Sequence, residues 1–374
     1  MKIVIAPDKF KNSLTALEFC NAVEEGIKSI ISDAEIVKLP LADGGDGTIE
    51  VVNYYLKGSR VDIIVNNPFF QPVKANYLYS ETSKIAFIEM AEASGIKLLK
   101  PEKLDCKNAT TFGTGEMIKD AIEKGATKIM LGIGGSATND CGIGMATALG
   151  YRFLDKNNKV ITPIGANLSR IVSIDVSEIY RKLNEVSFDI ACDVTNPLFG
   201  KNGAAYVYAP QKGAREADVK LLDQGLQDFA KIIEAVYKID VQSIKGGGAA
   251  GGMGIASKVF LNGVLKPGIQ LVKDLALFDS KLDKVDWIIT GEGKLDVQTF
   301  SGKTIQGVMT SAKAKQLKVA AFCGIIDLEE SDIEKFGINY ADAVINHSKN
   351  LEEAMQNGLH YVKEMAKEFA KSLL

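Results

Sequence analysis

Short apolar runs separated by amphipathic stretches set the rhythm of this chain. Ile3-Val4-Ile5-Ala6 ends at Pro7-Asp8 and predicts a buried strand. The period then changes: Ala16, Cys20, Val23, Ile27 and Ile31 recur at helical spacing, behind Thr15 and Glu18, which fit a capping box. Ile36 to Leu41 predicts the next strand, running into Ala42-Asp43-Gly44-Gly45-Asp46-Gly47-Thr48, after which Val52, Tyr55 and Leu56 predict a helix. Strand, loop, helix, strand is the βαβ pattern, and it implies a parallel sheet. The pattern returns three times. Lys128 to Leu131 leads into the glycine-rich 132–140, Val186 to Ala191 into Cys192-Asp193-Val194-Thr195-Asn196-Pro197, and Trp287 to Thr290 into Gly291-Glu292-Gly293-Lys294. Val319 to Cys323 and Ala343 to Ile345 predict two further strands before a final helix.

Between Val61 and Ile88 the pattern shortens and alternates, with Asn-Asn-Pro and Gln-Pro turns, which predicts antiparallel structure and a lobe boundary near residue 65. A return to strand-helix alternation comes near residue 285. At 374 residues two lobes are expected. The reading is an α/β protein with two lobes. Residues 1–65 and 285–374 form a doubly wound parallel sheet, and 66–284 an inserted, mixed α/β lobe.

Composition narrows the function. Hydrophobic residues at 46% and charged residues at 24% are ordinary for a globular chain, but 35 glycines are more than usual and cluster in a few loops. The net charge of −3, with both signs interspersed, argues against a nucleic-acid partner, and the 313–318 run KAKQLK reads as a solvated helix face. Five scattered cysteines, without a CxxC pair, argue against a disulfide framework or a zinc site and fit a reducing compartment. The first residues lack a signal-peptide h-region, and no apolar run approaches the roughly 18 residues of a membrane span, so a cytoplasmic protein without a membrane partner is expected.

Ligands of open parallel sheets bind beyond the carboxyl ends of the strands. Asp8, Asp43, Asp193 and Glu292 each follow closely on a predicted strand. Carboxylates that converge there suit magnesium, which takes one or two of them and completes its shell with phosphate oxygens and water. Three glycine runs, 43–48, 132–140 and 246–254, could bring backbone N–H groups against an anion. The run 134–140 is read as ligand-binding because it sits on a strand end, while 246–254 suits tight packing or a ligand equally. Lys9, Lys11, Lys294 and Lys303 stand beside the acidic loops as point charges for phosphate or carboxylate. The run Ser301-Gly302-Lys303-Thr304 contains the end of a Walker A loop, but Val297 occupies the required first glycine position. Gly132-Ile133-Gly134-Gly135-Ser136-Ala137 matches a dinucleotide fingerprint, with Asp155 where a ribose-binding acid could lie, so a dinucleotide-dependent oxidoreductase of a small hydroxy acid is the alternative. Gly246 to Gly251 matches too, without a strand before it. The only histidines, His347 and His360, offer no nucleophile arrangement.

Seven blocks in order then carry a family resemblance: APDKFKNSLTA (6–16), PLADGGDGT (40–48), GIGGSATNDCGIGM (132–145), ACDVTNPLFG (191–200), APQKGA (209–214), GGGAAGGMG (246–254) and TGEGKLDVQTFSGKT (290–304). The chain resembles the bacterial type 1 glycerate kinases over essentially its whole length. It departs from their pattern at Lys9 and Asn12, where serine and glycine are expected, and at Gly247, where alanine is commoner. The resemblance implies ATP- and magnesium-dependent phosphorylation of D-glycerate, with the 2-phosphate favoured over the 3-phosphate, and two α/β lobes around a cleft. On that basis Gly134, Gly135, Ser136, Ala137, Thr138, Asn139 and Asp140 are expected to cradle the ATP phosphates. Magnesium carboxylates are expected from Asp43, Asp46 and Asp193. Asp193 is expected also to act as the base, with Glu292 and Lys294 as further catalytic residues. Asp8, Lys9, Lys11 and Ser13 are expected on the substrate, with Lys9, Lys11 or Lys294 holding its carboxylate or the transferring phosphoryl group.

Overall fold

The computed structural model describes residues 1–45, 47–300 and 304–374, apart from the side chains of Gln298 and Phe300. The chain divides into two units, Met1–Tyr55 with Pro267–Leu374, and Leu56–Lys266. It opens in the first unit with β1 (Lys2–Ile5), α1 (Ala16–Lys28), β2 (Glu35–Lys38) and α2 (Thr48–Leu56). The Thr15 and Glu18 capping box is present at the start of α1: the Thr15 hydroxyl accepts from Glu18 N, and Thr15 N donates to the Glu18 carboxylate at 2.8 Å.

The second unit starts with β3 (Ser59–Asn66), β4 (Pro72–Ser80), β5 (Ile85–Glu89), α3 (Ala91–Ser94), α4 (Phe112–Glu123), β6 (Lys128–Gly132) and α5 (Ile143–Ala148). It continues with the hairpin β7 (Arg152–Leu154) and β8 (Ser173–Asp175), then β9 (Ser187–Ala191), α6 (Ala204–Tyr208), α7 (Glu216–Tyr237), α8 (Ala249–Phe260) and β10 (Val264–Lys266). Its main sheet has the order β10-β9-β6-β5-β4-β3, with β5, β6, β9 and β10 parallel and β4 antiparallel to both β5 and β3. Because β3 pairs with β4 from Ser59 to Asn66, the boundary falls before this strand, at Tyr55/Leu56, rather than near residue 65. Tyr77, Ile129, Leu131, Phe153 and Phe229 anchor this unit's core.

The chain returns to the first unit with α9 (Gly268–Ala276), α10 (Phe278–Lys281), β11 (Trp287–Thr290), β12 (Lys294–Leu295), α11 (Thr304–Lys315), β13 (Lys318–Cys323), β14 (Ile325–Ile326), α12 (Glu330–Phe336), β15 (Tyr340–Ala343), α13 (Leu351–Gln356) and α14 (Gly358–Ser372). Its sheet is wholly parallel, in the order β15-β13-β11-β1-β2. The last strand lies a little earlier than 343–345, since Tyr340 is fixed by its ring contacts with Phe322 and Phe369 and by its pairing with Ala320. Helices α1 and α14 cover one face of this sheet, where Phe19, Ile27, Val362 and Phe369 are buried with Ile3, Ile5 and Phe322. Each such side chain stabilises the unit by about 1.5–3 kcal/mol relative to exposure. Gly26 permits the close approach: a Cβ there would meet the Lys363 carbonyl oxygen at 2.4 Å. Among the described residues no helix is long and apolar enough to cross a membrane.

Candidate active site

In the first unit the strand order reverses between β11 and β1. From β1 the chain moves outward to β2 on one side, and from β11 to β13 and β15 on the other. The crevice at such a switch point is where doubly wound sheets take their ligands. A cavity of about 470 Å³ lies here, lined by loops that follow all five strands. After β1 come Asp8, Lys9, Phe10, Lys11 and Ser13, after β2 Asp43 and Gly45, and after β11 Glu292, Gly293, Lys294 and Asp296. Gly324 and Ile325 follow β13, Val344 follows β15, and Leu351, Ala354 and Met355 of α13 form an apolar wall. The loops are tied at their base, where Asp8 N donates to the Gly291 carbonyl at 2.8 Å and Thr290 Oγ1 to the Ala6 carbonyl at 2.8 Å. Seven of the expected site residues, Asp8, Lys9, Lys11, Ser13, Asp43, Glu292 and Lys294, therefore share one cavity.

Asp8 is the group most altered by this setting. Burial and the nearby Asp43 charge raise its carboxyl to about 6, against the opposing bonds from Thr304 Oγ1 at 2.5 Å and Lys9 N at 2.7 Å. Asp43 accepts from Gly45 N at 3.0 Å. Glu292 is buried in the cavity wall at 7% exposure. The Lys294 ammonium is paired with Asp327 at 2.8 Å and lies 3.7 Å from Asp296, and the Asp327 carboxylate holds it above the usual lysine range. Ser13 donates to the Met355 carbonyl at 2.9 Å, so its hydroxyl first serves to join the β1 loop to α13. Asn12, where the family pattern has glycine, has a positive φ of 61°, a conformation that asparagine tolerates better than most residues. Gly47 also has a positive φ, and a Cβ there would meet Lys9 Cδ at 2.7 Å, so its missing side chain makes room for the lysine stem. Asp46 and Lys303 lie outside the described residues. Among those described, no group of three or more His, Cys, Asp or Glu residues is arranged to hold a metal ion. One carboxylate on a cavity wall, here Asp43, still fits magnesium, which keeps most of its shell for water and phosphate oxygens.

The remaining expected residues belong to the second unit. The 134–140 loop follows β6 and Asp193 follows β9, on adjacent parallel strands in which Gly132 pairs with Ala191. Asp193 is exposed. Of the loop, only Gly134 and Gly135 are exposed, while Ser136, Ala137, Thr138, Asn139 and Asp140 are buried. Asp140 is not a ligand-facing acid: its carboxylate accepts from Thr111 N and Oγ1, both at 2.8 Å, from Gly142 N and from Gly144 N. Burial pushes its carboxyl up against those four bonds, and its work is to hold the turn into α5. The 246–254 run is explained by packing. A Cβ at Gly248 would meet the Pro197 carbonyl oxygen at 2.1 Å, and one at Gly251 that of Thr138 at 2.2 Å. Sequence reading places Lys212 within the APQKGA block but gives it no role; its buried ammonium donates to Ser136 Oγ at 2.6 Å and to the Thr138 carbonyl at 2.8 Å.

The dinucleotide reading loses its geometry. A fingerprint loop opens directly into a helix, whereas α5 begins only at Ile143, and Asp155 accepts from Asn157 N and Lys159 N in its own exposed turn. His347 pairs with Asp342 at 2.8 Å on the surface. All five cysteines are free thiols, with Cys20, Cys106, Cys141 and Cys323 buried.

Comparison with known proteins adds to this geometry. Residues 3–374 match the model of the glycerate kinase family. A glycerate kinase of Halalkalibacterium halodurans is 42% identical over 98% of this chain and 97% of its own length. The glycerate 2-kinase of Escherichia coli K12 is 40% identical over 100% of this chain and 98% of its own. A crystal structure named as glycerate kinase 2 of Salmonella typhimurium LT2 superposes with a TM-score of 0.88 at 41% identity, covering 100% of this chain and 98% of the other.

Proposed function

This chain belongs to the glycerate kinase family, and we propose that it transfers the γ-phosphoryl group of magnesium-bound ATP to the 2-hydroxyl of D-glycerate. The observation that carries this reading is the switch-point cavity, in which Asp8, Lys9, Lys11, Asp43, Glu292 and Lys294 line one space. Phosphoryl transfer asks a protein mainly for positioning and charge neutralisation, and this set of residues supplies both.

In this reading Lys9 and Lys11 hold the glycerate carboxylate as point charges. Asp8 orients the reacting hydroxyl and accepts its proton as the new O–P bond forms, while the bond from the γ-phosphorus to the bridging oxygen breaks and ADP leaves. We assign the base to Asp8 instead of Asp193 because Asp8 lines the cavity that carries the lysines and its carboxyl is tuned close to the working pH of a general base. Asp43 would hold the magnesium ion, which when bound neutralises charge on the transferring phosphoryl group. Glu292 and Lys294 line the same cavity, with Lys294 kept in place by Asp327. The exposed backbone at Gly134 and Gly135 is assigned to the nucleotide phosphates. The preference for the 2-position is supported by the name of the E. coli relative. The free thiols suit a reducing compartment, and we assign the enzyme to the cytoplasm.

The test is ADP production from Mg-ATP with and without D-glycerate, followed by phosphorus NMR of the product. Glycerate-dependent ADP release with a 2-phosphoglycerate signal is the expected result. Release with a 3-phosphoglycerate signal overturns the regiochemistry alone, and no release overturns the reading.

A further inference from the structure

We propose that Lys212 is the cation of the phosphate-binding shelf at Gly134 and Gly135, a positioning residue that acts on bound nucleotide phosphates through the loop it holds. The proposal rests on the nucleotide reading given above. It starts from a buried charge. Lys212 is 4% exposed, and among the described residues it forms no ion pair; its two bonds go to the neutral Ser136 Oγ and Thr138 carbonyl. An ammonium placed this way gives up its hydration for two neutral partners, and a neutral side chain of similar shape could fill the space. Proteins retain such charges where function uses them.

The chain around Lys212 keeps its position fixed. Cys106 N donates to the Lys212 carbonyl at 3.2 Å, and Gly213 has a positive φ of 90° at a point where a Cβ would meet the Leu104 carbonyl oxygen at 2.1 Å. The loop is also held by Ala137 N donating to the Ser94 carbonyl and by Ile96 N donating to the Gly135 carbonyl, both at 2.9 Å. The ammonium and these two backbone bonds together hold the loop in place. Gly134 and Gly135 are left exposed, with no atom within 4 Å of a Cβ built on Gly134. Three further polar atoms of the same loop, Thr138 Oγ1 and both amide atoms of Asn139, are buried without a hydrogen-bond partner. A loop that leaves those groups unpaired beside an unpaired cation is built for something other than stability.

Burial lowers the Lys212 ammonium to about 8. The titratable groups that face it are the Cys106 thiol, itself pushed up to about 11 by burial, and the buried Asp140 carboxylate. Lysine is charged below its pKa, so the shelf carries its cation at neutral pH and loses it as pH rises through about 8.

The experiment is calorimetric binding of Mg-ADP, with the KM for Mg-ATP and for D-glycerate, on the full chain and its Lys212→Met and Ser136→Ala variants from pH 6.5 to about 9.5. Lys212→Met is expected to fold with an unlowered Tm, to weaken Mg-ADP binding and raise the Mg-ATP KM at least ~10-fold at neutral pH, and to leave the glycerate KM within about two-fold. The full chain is expected to lose Mg-ADP affinity with a midpoint near pH 8, the variant to show no such midpoint, and Ser136→Ala to move it downward, because the serine oxygen favours the charged lysine. Unchanged Mg-ADP binding in Lys212→Met, or the same pH midpoint in that variant, overturns the proposal. A lowered Tm with both KM values raised together returns Lys212 to a structural role. Should Lys212→Met fail to fold, an unshifted midpoint in Ser136→Ala overturns it equally. A full chain that binds Mg-ADP with this pH dependence but releases no ADP with glycerate overturns the proposed reaction and leaves the shelf standing.

Discussion

Asp8 and Asp193 both follow apolar strands, and only their surroundings separate them. Asp8 is sunk in the cavity, bonded by Thr304 and Lys9 N and raised to about 6, while Asp193 is exposed after β9. Asp8→Asn keeps the shape and one acceptor oxygen but cannot take a proton. It is expected to lower kcat by at least ~100-fold, the low end for general-base help, with the glycerate KM changed far less and the Tm unlowered. Steady-state kinetics beside a thermal melt decide it, and near wild-type turnover would remove Asp8 from the reaction. Asp193→Asn, by the same assay, is expected to keep turnover within about ten-fold. The position of an acid after a strand was legible in the sequence at both sites. Burial was not, because it depends on residues such as Thr304, far along the chain. Lys212 stood in the APQKGA block, but its burial and its role were illegible for the same reason: the serine it holds lies 76 residues away.

At the scale of elements, the apolar runs announced the strands well because parallel strands covered on both faces need continuous hydrophobic residues. Trp287–Thr290 stands where expected, and the Thr15 cap opens α1. Thr15→Ala is expected to cost about 1 kcal/mol by removing the acceptor for Glu18 N, read as a lower midpoint in urea with an unchanged slope. The glycine-rich 246–254 run had two readings in the sequence, since glycine serves anion loops and close packing alike. Its geometry decides for packing: Ala250, Gly251 and Gly252 have positive φ at the start of α8, and Gly251 lies against Thr138 and Asn139. Gly251→Ala adds a methyl where the carbonyl of Thr138 already stands and strains the backbone at a φ of +72°. A loss of about 1–3 kcal/mol is expected, the usual range for overpacking. Because Thr138 also accepts from Lys212, weaker Mg-ADP binding should accompany it. Full stability in this variant would mean that the run is not a packing device.

At the scale of the molecule, one chain threads two main sheets, and the threading has a consequence for folding. Every strand of the six-stranded sheet, from β3 to β10, lies within the continuous segment Leu56–Lys266. Its hydrophobic cluster is drawn entirely from residues between Val61 and Leu265. A segment that carries its own sheet and its own core meets the physical definition of a domain. The five-stranded sheet is different, since β1 and β2 come from the first part of the chain and β11, β13 and β15 from the last. Its central pairing, β1 with β11, joins residues far apart along the chain, as in Ile3 with Trp287. Closing so long a loop costs entropy that grows slowly with length, but the pairing cannot begin until both ends exist. Residues 56–266 expressed alone are therefore expected to fold, giving a cooperative thermal transition by circular dichroism and slow amide exchange at Ile129 and Leu131. The fragment lacks Asp8, Lys9, Lys11 and the rest of the cavity, so it should release no ADP with glycerate. A broad, non-cooperative melt would mean that the six-stranded sheet depends on the rest of the chain.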